Sequence, residues 1–272
     1  MSQSSEKLKF PELKSIRLSH GKLSYRESGL GTPIVFFHGM NGDSRSWAYQ
    51  FAFLSDRYRV IAWDAPGFGD SDVCPATIEA YVTAGMEFLD RIGATKAVLV
   101  GHSMGGVVAA RIAATKGNTV KKLVLSCTHP GYGQASGNEL LSRYASRLEE
   151  MKKMPKEEYG RIRASKMVPP DAHPAVLGLL AEISMEARPE GLEAAGRMVQ
   201  ETDNSGFFDS IAAPVLILYA ERDPVVKMDS TTKLIKALPS ANVAKMPSVG
   251  HAPYAEDPGT YNRIIDEFAK QS

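Results

Sequence analysis

The chain has 272 residues, 43% of them hydrophobic, with 32 basic and 31 acidic side chains and a formal net charge of +1. That length supports one large domain or a domain carrying an insertion, and the balanced charge gives neither the basic field of a nucleic-acid binder nor a single-sign interaction tail. No run of 18 apolar residues occurs, the polar start from Met1 to Lys9 lacks the apolar core of a secretory signal, and two cysteines, Cys74 and Cys127, are too few for a disulfide framework and lack metal-ligand spacing.

In chain order, Ser15 to His20 and Lys22 to Arg26 flank Gly21 and read as a β-hairpin. Pro33-Ile34-Val35-Phe36-Phe37 is a buried strand that runs into the loop His38-Gly39-Met40-Asn41-Gly42. Asp43, Ser44 or Ser46 can cap a helix carrying Trp47, Phe51 and Leu54. A strand from Arg59 to Trp63 leads into the turn-rich segment Asp64-Ala65-Pro66-Gly67-Phe68-Gly69-Asp70-Ser71-Asp72, and a helix from about Thr77 to Ile92 follows. Ala97 to Val100, Lys122 to Ser126, Pro214 to Tyr219 and Asn242 to Met246 complete the set of apolar strands. Strands alternating with helices imply right-handed crossovers and a mostly parallel α/β sheet with helices on both faces. From about Gly131 to Asp203 the pattern changes. That region holds only amphipathic helical pieces, Asn138 to Lys153, Lys156 to Met167, Ala175 to Glu186 and Pro189 to Glu201, and reads as an all-helical insertion. The division is then a core domain of residues 1–130 and 204–272 with a cap of residues 131–203.

The stretch Gly101-His102-Ser103-Met104-Gly105-Gly106 has the G-x-S-x-G spacing of a nucleophile elbow, with a strand before it and a small-residue helix after it. A serine hydroxyl is a weak nucleophile at neutral pH and needs an imidazole to take its proton and a carboxylate to orient that imidazole. In an open α/β sheet such groups sit just past the carboxyl ends of strands. Asp223 follows the strand ending at Tyr219, and His251 follows the last strand, giving the chain order Ser103, Asp223, His251. Glu221 is the competing acid, and the shorter Asp223, opening a turn at Pro224, is preferred. Of the other histidines, His20, His38, His102, His129 and His173, none has the same position after the final strand. An oxyanion needs two N–H donors, supplied by the residue after the nucleophile, Met104, and by Met40 in the loop after the first buried strand.

With these motifs in this order, the chain resembles the α/β-hydrolases that carry an inserted helical cap, from about Phe10 to the C-terminus. The resemblance implies an eight-stranded sheet and a structural role for Asp64 and the Pro66 to Ser71 turn. It also implies a serine hydrolase acting without cofactor or metal on a small molecule: a carboxylic ester, lactone or related acyl compound. Serine at the elbow sets the chain apart from dehalogenases and epoxide hydrolases of the same fold. Carbon–carbon bond hydrolases, perhydrolases, cofactor-free haloperoxidases and a small-molecule receptor on this fold remain alternatives. The first of these needs a cation for the substrate carboxylate, for which Arg45, Arg188 and Arg197 are candidates. His102 and Ala252 stand where those enzymes often carry asparagine and tryptophan. Pocket candidates are His38, Arg45, Trp47, His102, Met154 and Phe207, with an apolar lining expected. A cytoplasmic protein is expected, with neither nucleic acid nor membrane as partner, and the sequence sets no oligomeric state.

Overall fold

The computed structural model describes residues 8–271; most of the polar tail read from Met1 to Lys9 lies outside them. The elements, in order, are β1 (Leu13–Leu18), β2 (Gly21–Ser28), β3 (Pro33–Phe37), α1 (Ala48–Leu54), β4 (Arg59–Trp63), α2 (Ile78–Arg91), β5 (Ala97–His102), α3 (Met104–Lys116) and β6 (Val120–Ser126). There follow α4 (Ser142–Lys153), α5 (Lys156–Ser165), α6 (Pro174–Ser184), α7 (Pro189–Glu201), β7 (Val215–Ala220), α8 (Met228–Ala237), β8 (Asn242–Met246), α9 (Pro253–Glu256) and α10 (Pro258–Lys270).

The eight strands form one sheet in the order β1-β2-β4-β3-β5-β6-β7-β8. The β1–β2 and β2–β4 pairs are antiparallel, and β4 through β8 run parallel. A parallel sheet must be covered on both faces, so its central strands β3 and β5 are buried along nearly their whole length rather than alternating with polar residues. In β3, Ile34 and Phe36 enter one core while Val35 and Phe37 enter the other, and all four are fully buried. Helices α2, α3 and α8 pack on the Val35 side, and α1, α9 and α10 on the Ile34 side.

Local signals in the sequence set the helix ends. Thr77 caps α2 by accepting the Ala80 N–H, and Asp257 caps α10 by accepting from Thr260 with Pro258 at the first turn. Asp43 accepts the Arg45 N–H, but what it starts is a 3₁₀ turn, Ser44–Trp47, that passes into the short α1. The helix expected from Asn138 begins only at Ser142. Gly137 takes φ +84°, and Leu141 is extended with its N–H donated to Gln200 Oε1 at 2.7 Å, so the preceding segment is committed to a different path.

Helices α4 to α7 are inserted between β6 and β7. They divide into two pairs. Tyr144 of α4 and Ala195, Met198 and Val199 of α7 join one core, while Ala164 of α5 and Val176, Leu179 and Ile183 of α6 join the other. The two ends of the insertion meet in an isolated antiparallel bridge between Gly131 and Asp203, with the Asn204 N–H donated to Pro130 O at 2.9 Å.

Candidate active site

Ser103 sits between β5 and α3 with φ +52° and ψ −119°, a conformation that costs an L-residue about 1–3 kcal/mol unless its surroundings enforce it. The enforcement is visible on both sides of the peptide. The Ser103 N–H donates to Ser126 O at 2.9 Å, and Thr128 Oγ1 donates to Ser103 O at 2.6 Å, both from the end of β6. The glycines of the motif permit close packing: a Cβ on Gly105 would lie 2.1 Å from the Phe37 carbonyl oxygen, and one on Gly101 2.5 Å from that of Gly105.

The loops after β7 and β8 bring Asp223 against His251. Asp223 Oδ1 accepts the N–H groups of Val225 and Val226, which leaves Oδ2 for His251 Nδ1 at 2.8 Å. The competing acid, Glu221, turns outward to Lys245. His251 is itself held by its backbone, with its N–H donated to Met167 O at 2.8 Å from the end of the α5 segment. Glu256, which the sequence reading did not single out, accepts the N–H groups of Gly250 and Ala252 at 2.8 and 3.0 Å and so fixes the loop on both sides of the imidazole. Burial pushes its carboxyl above the usual range. Its only sequence signal is an acid five residues after the histidine, at the end of the short proline-led α9. Among the described hydrogen bonds none joins Ser103 Oγ to His251, although both residues line one pocket. Such contacts commonly tighten when substrate arrives.

Cys127 Sγ also approaches Asp223 and His251, the three ligand atoms lying within 4.8 Å of one another. Burial pushes this thiol well up, the carboxylate of Asp223 adding to the effect. The protonated sulfur is a poor metal ligand.

Met104 is the first residue of α3, where the helix leaves N–H groups without intrahelical acceptors. Met40 lies in the facing loop, and no described hydrogen bond uses its N–H. Gly39 allows this loop to approach the elbow, since a Cβ there would lie 3.1 Å from that of Ser103. The loop is tied down by Asn41, whose φ is +65° and whose Nδ2 donates to Tyr159 OH of α5 at 2.7 Å.

The pocket above Ser103 has a volume of about 640 Å³, mouth included. Met40, Met104, Ser103 and His251 form part of its wall, α4 supplies Tyr144, Arg143 and Arg147, and α5 and the turn after it supply Arg163, Lys166 and Met167. Val199, Val225 and Val226 add to an apolar lining of the kind expected, and the cations give the same space a positive side that the sequence did not disclose. A smaller pocket on the other side of His251 is lined by His102, Leu180, Ile183 and Met167 among others.

Most of the expected pocket residues lie elsewhere. His38 is buried, and its Nε2 accepts the Ala65 N–H at 2.9 Å, tying the loop to the Asp64 turn. Trp47 is fully buried between Phe36 and Tyr254. Arg45 pairs with Asp43 and lines a separate polar cleft with Arg188. Arg197 pairs along its own helix with Glu193. Met154 ends α4 away from both pockets, and Phe207 is 42% exposed with Arg111 stacked 3.5 Å from its ring centre. His102 lines the smaller pocket, with its Nε2 unpartnered and its ring held neutral by burial, the neighbouring His251 and His38 adding to the effect. Large apolar or aromatic residues near a motif fill the core as readily as a pocket, and sequence proximity does not separate the two.

Residues 34–264 match the model of the alpha/beta hydrolase family. A pimeloyl-[acyl-carrier protein] methyl ester esterase from Vibrio vulnificus is 26% identical, over 91% of this chain and 98% of that protein. A 2-hydroxy-6-oxononadienedioate/2-hydroxy-6-oxononatrienedioate hydrolase from Burkholderia vietnamiensis is 30% identical, over 92% of this chain and 91% of that protein. A solved thermophilic esterase from Thermogutta terrifontis superposes with a TM-score of 0.83 at 25% identity, covering 95% of this chain and 98% of that one.

Proposed function

The chain belongs to the alpha/beta hydrolase family and is a serine hydrolase, and on that premise we propose that it cleaves a carboxylic ester, lactone or related acyl bond of a small molecule through an acyl-enzyme on Ser103. The observation that carries this reading is the His251 Nδ1 to Asp223 Oδ2 hydrogen bond of 2.8 Å, in a wall shared with a serine held at positive φ.

In the first step Ser103 Oγ attacks the carbonyl carbon while His251 Nε2 takes the hydroxyl proton, and the carbonyl oxygen becomes an oxyanion facing the N–H groups of Met40 and Met104. Collapse expels the alcohol, which receives the proton from His251. A water then attacks the acyl-enzyme with His251 again as base, and release of the acid restores the serine. Asp223 holds the imidazole in the tautomer that leaves Nε2 free to accept, and stabilises its charged form. No step needs a cofactor or metal.

The insertion of α4 to α7 acts as a cap, which favours a small molecule over a polymer. Both cysteines are free, which suits a reducing compartment, and the cytoplasm is the proposed location. No described helix is long and apolar enough to cross a membrane.

Labelling with a fluorophosphonate and steady-state turnover of a p-nitrophenyl ester test the reading together. The native chain is expected to label and to turn over continuously, and Ser103→Ala to do neither. Strong labelling of Ser103→Ala would defeat the assignment. A single turnover followed by ligand-dependent partner binding would favour a receptor on this fold instead.

A further inference from the structure

The pocket that holds Ser103 and His251 has no aspartate or glutamate among its lining residues, yet four cations enter it, Arg143 and Arg147 from α4 and Arg163 and Lys166 from the α5 segment. Two of the four are compensated from outside the pocket. Glu150 lies 2.7 Å from the Arg163 guanidinium and 3.0 Å from Lys166 Nζ. The other two meet no carboxylate among the described residues. Arg143 stacks over the Tyr132 ring at 5.2 Å and donates to its hydroxyl. Arg147 is more confined. Its one side-chain hydrogen bond among the described residues is a long one, 3.4 Å to Asn41 Oδ1, and its guanidinium stands 5.8 Å from the centre of the Tyr144 ring.

A guanidinium stays charged at any pH the protein meets, so a confined one without a counter-ion is a standing cost. Burial, and next the like charge of Arg163, hold Arg147 below its usual range, in the same direction as the geometry. The ordinary explanation for surface arginines, a solvated charged face, fits Arg143, which is exposed, and accounts less well for Arg147, which is half-buried and turned into the pocket. What relieves such a group is an oxyanion: the planar fork of arginine matches the two oxygens of a carboxylate, and the bond is stronger where water is excluded.

We propose that Arg147, assisted by Arg143, anchors a carboxylate carried by the substrate, so that the enzyme selects monoanionic esters over neutral ones. This inference rests on acyl hydrolysis at Ser103. The smaller pocket across His251, where Leu180, Ile183 and Met167 stand beside Ser46, Ser184 and His102, has no arginine, lysine or carboxylate in its lining and suits the uncharged half of the same molecule. The substrate is then charged at one end and uncharged at the other, with the scissile bond between.

The test compares the monomethyl and dimethyl esters of one dicarboxylic acid, which differ in charge and by a single methyl group, and adds the acetyl ester of a hydroxycarboxylic acid to place the anion on the alcohol side. The native enzyme is expected to prefer one of the two anionic esters over the neutral diester by about 10- to 100-fold in kcat/KM, and which one it prefers assigns the anchor to the acyl or the alcohol half. In Arg147→Gln that preference is expected to collapse, mainly through KM, and Arg147→Lys to restore part of it. No preference in the native enzyme, or an equal loss on charged and neutral esters in Arg147→Gln, overturns the proposal. Should Arg147→Gln fail to fold, competitive inhibition of the native enzyme by the free diacid but not by its diamide carries the same decision. Ser103→Ala run beside these separates the two readings: turnover surviving in it refutes the acyl-enzyme, whereas unselective turnover that needs Ser103 refutes only the anchor.

Discussion

The floor of the pocket, made from β5, α3 and the loops after β3, β7 and β8, differs from its roof on α4 and α5 in how each side chain is held. On the floor the residues proposed to react are held in place: the Ser103 backbone between Ser126 and Thr128, His251 between Asp223 and the carbonyl of Met167, and the loop around it on Glu256. The roof has one buried residue in the whole of α4, Tyr144, and the two cations that α4 sends inward, Arg143 and Arg147, meet no carboxylate among the described residues. Rigid floors suit chemistry, which loses much to small displacements, and a polar roof suits recognition, which tolerates adjustment.

If that contrast holds, floor substitutions should act on kcat and roof substitutions on selectivity. The largest effect is expected for Ser103→Ala and His251→Ala, a fall in turnover of about 10⁴-fold or more, with Asp223→Asn close behind and little change in thermal stability. Glu221→Gln matching that loss would move the orienting acid. Next, Gly105→Ala places a methyl 2.1 Å from the Phe37 carbonyl and is expected to cost about 3 kcal/mol of stability, read from chemical denaturation. A neutral outcome would mean that the elbow gives way more easily than its packing implies. Smaller again is Tyr159→Phe, which removes the hydroxyl that accepts from Asn41 and should lower kcat by about three- to tenfold by loosening the Met40 loop. A loss as deep as that of Ser103→Ala would erase the distinction between roof and floor.

The smallest effect is on pH. Burial, helped by Arg143 and His251, lowers His129 to about 4 from the ordinary 6.5, so the folded protein keeps it neutral where the unfolded chain takes up a proton. Stability is therefore full above 6.5 and falls as the pH drops from there towards about 4, a loss to which the buried His102 adds in the same direction. Melting temperatures should decline from about pH 7.5 to about pH 5, and His129→Asn, which keeps an acceptor for the Gly131 N–H, should flatten part of the slope. An unchanged slope refutes the contribution of His129.

The same contrast decides what the sequence discloses. The parallel strands are short apolar runs, and the elbow is a local pattern whose strand and helix are contiguous with it, so Ser103, Met104 and the loop at Met40 can be found without tertiary information. Asp223 and His251 follow from chain order and from the rule that sites lie past strand ends. The roof escapes such rules. An amphipathic helix with few apolar residues does not announce which polar side chains turn inward, because that depends on how it docks. In α4 a faint signal exists: Arg147 lies three residues after Tyr144 and four before Met151, on the stripe those two define. Arg45, Arg188 and Arg197 were the more visible cations, and each is paired or bound elsewhere.

The bridge between Gly131 and Asp203 has a consequence for how such a protein can change over generations. Because the insertion leaves and re-enters the core through adjacent residues, the span between β6 and β7 is closed before any cap helix is specified. Helices can then be lengthened, exchanged or recharged as a block, with the register of β6 on β7 undisturbed and a loop-entropy cost that grows only slowly with length. On the proposed reading, substrate range and bond-breaking chemistry thereby fall on separate elements, which meet at the Met167 carbonyl, the Asn41 amide and the Ser71 carbonyl among other contacts.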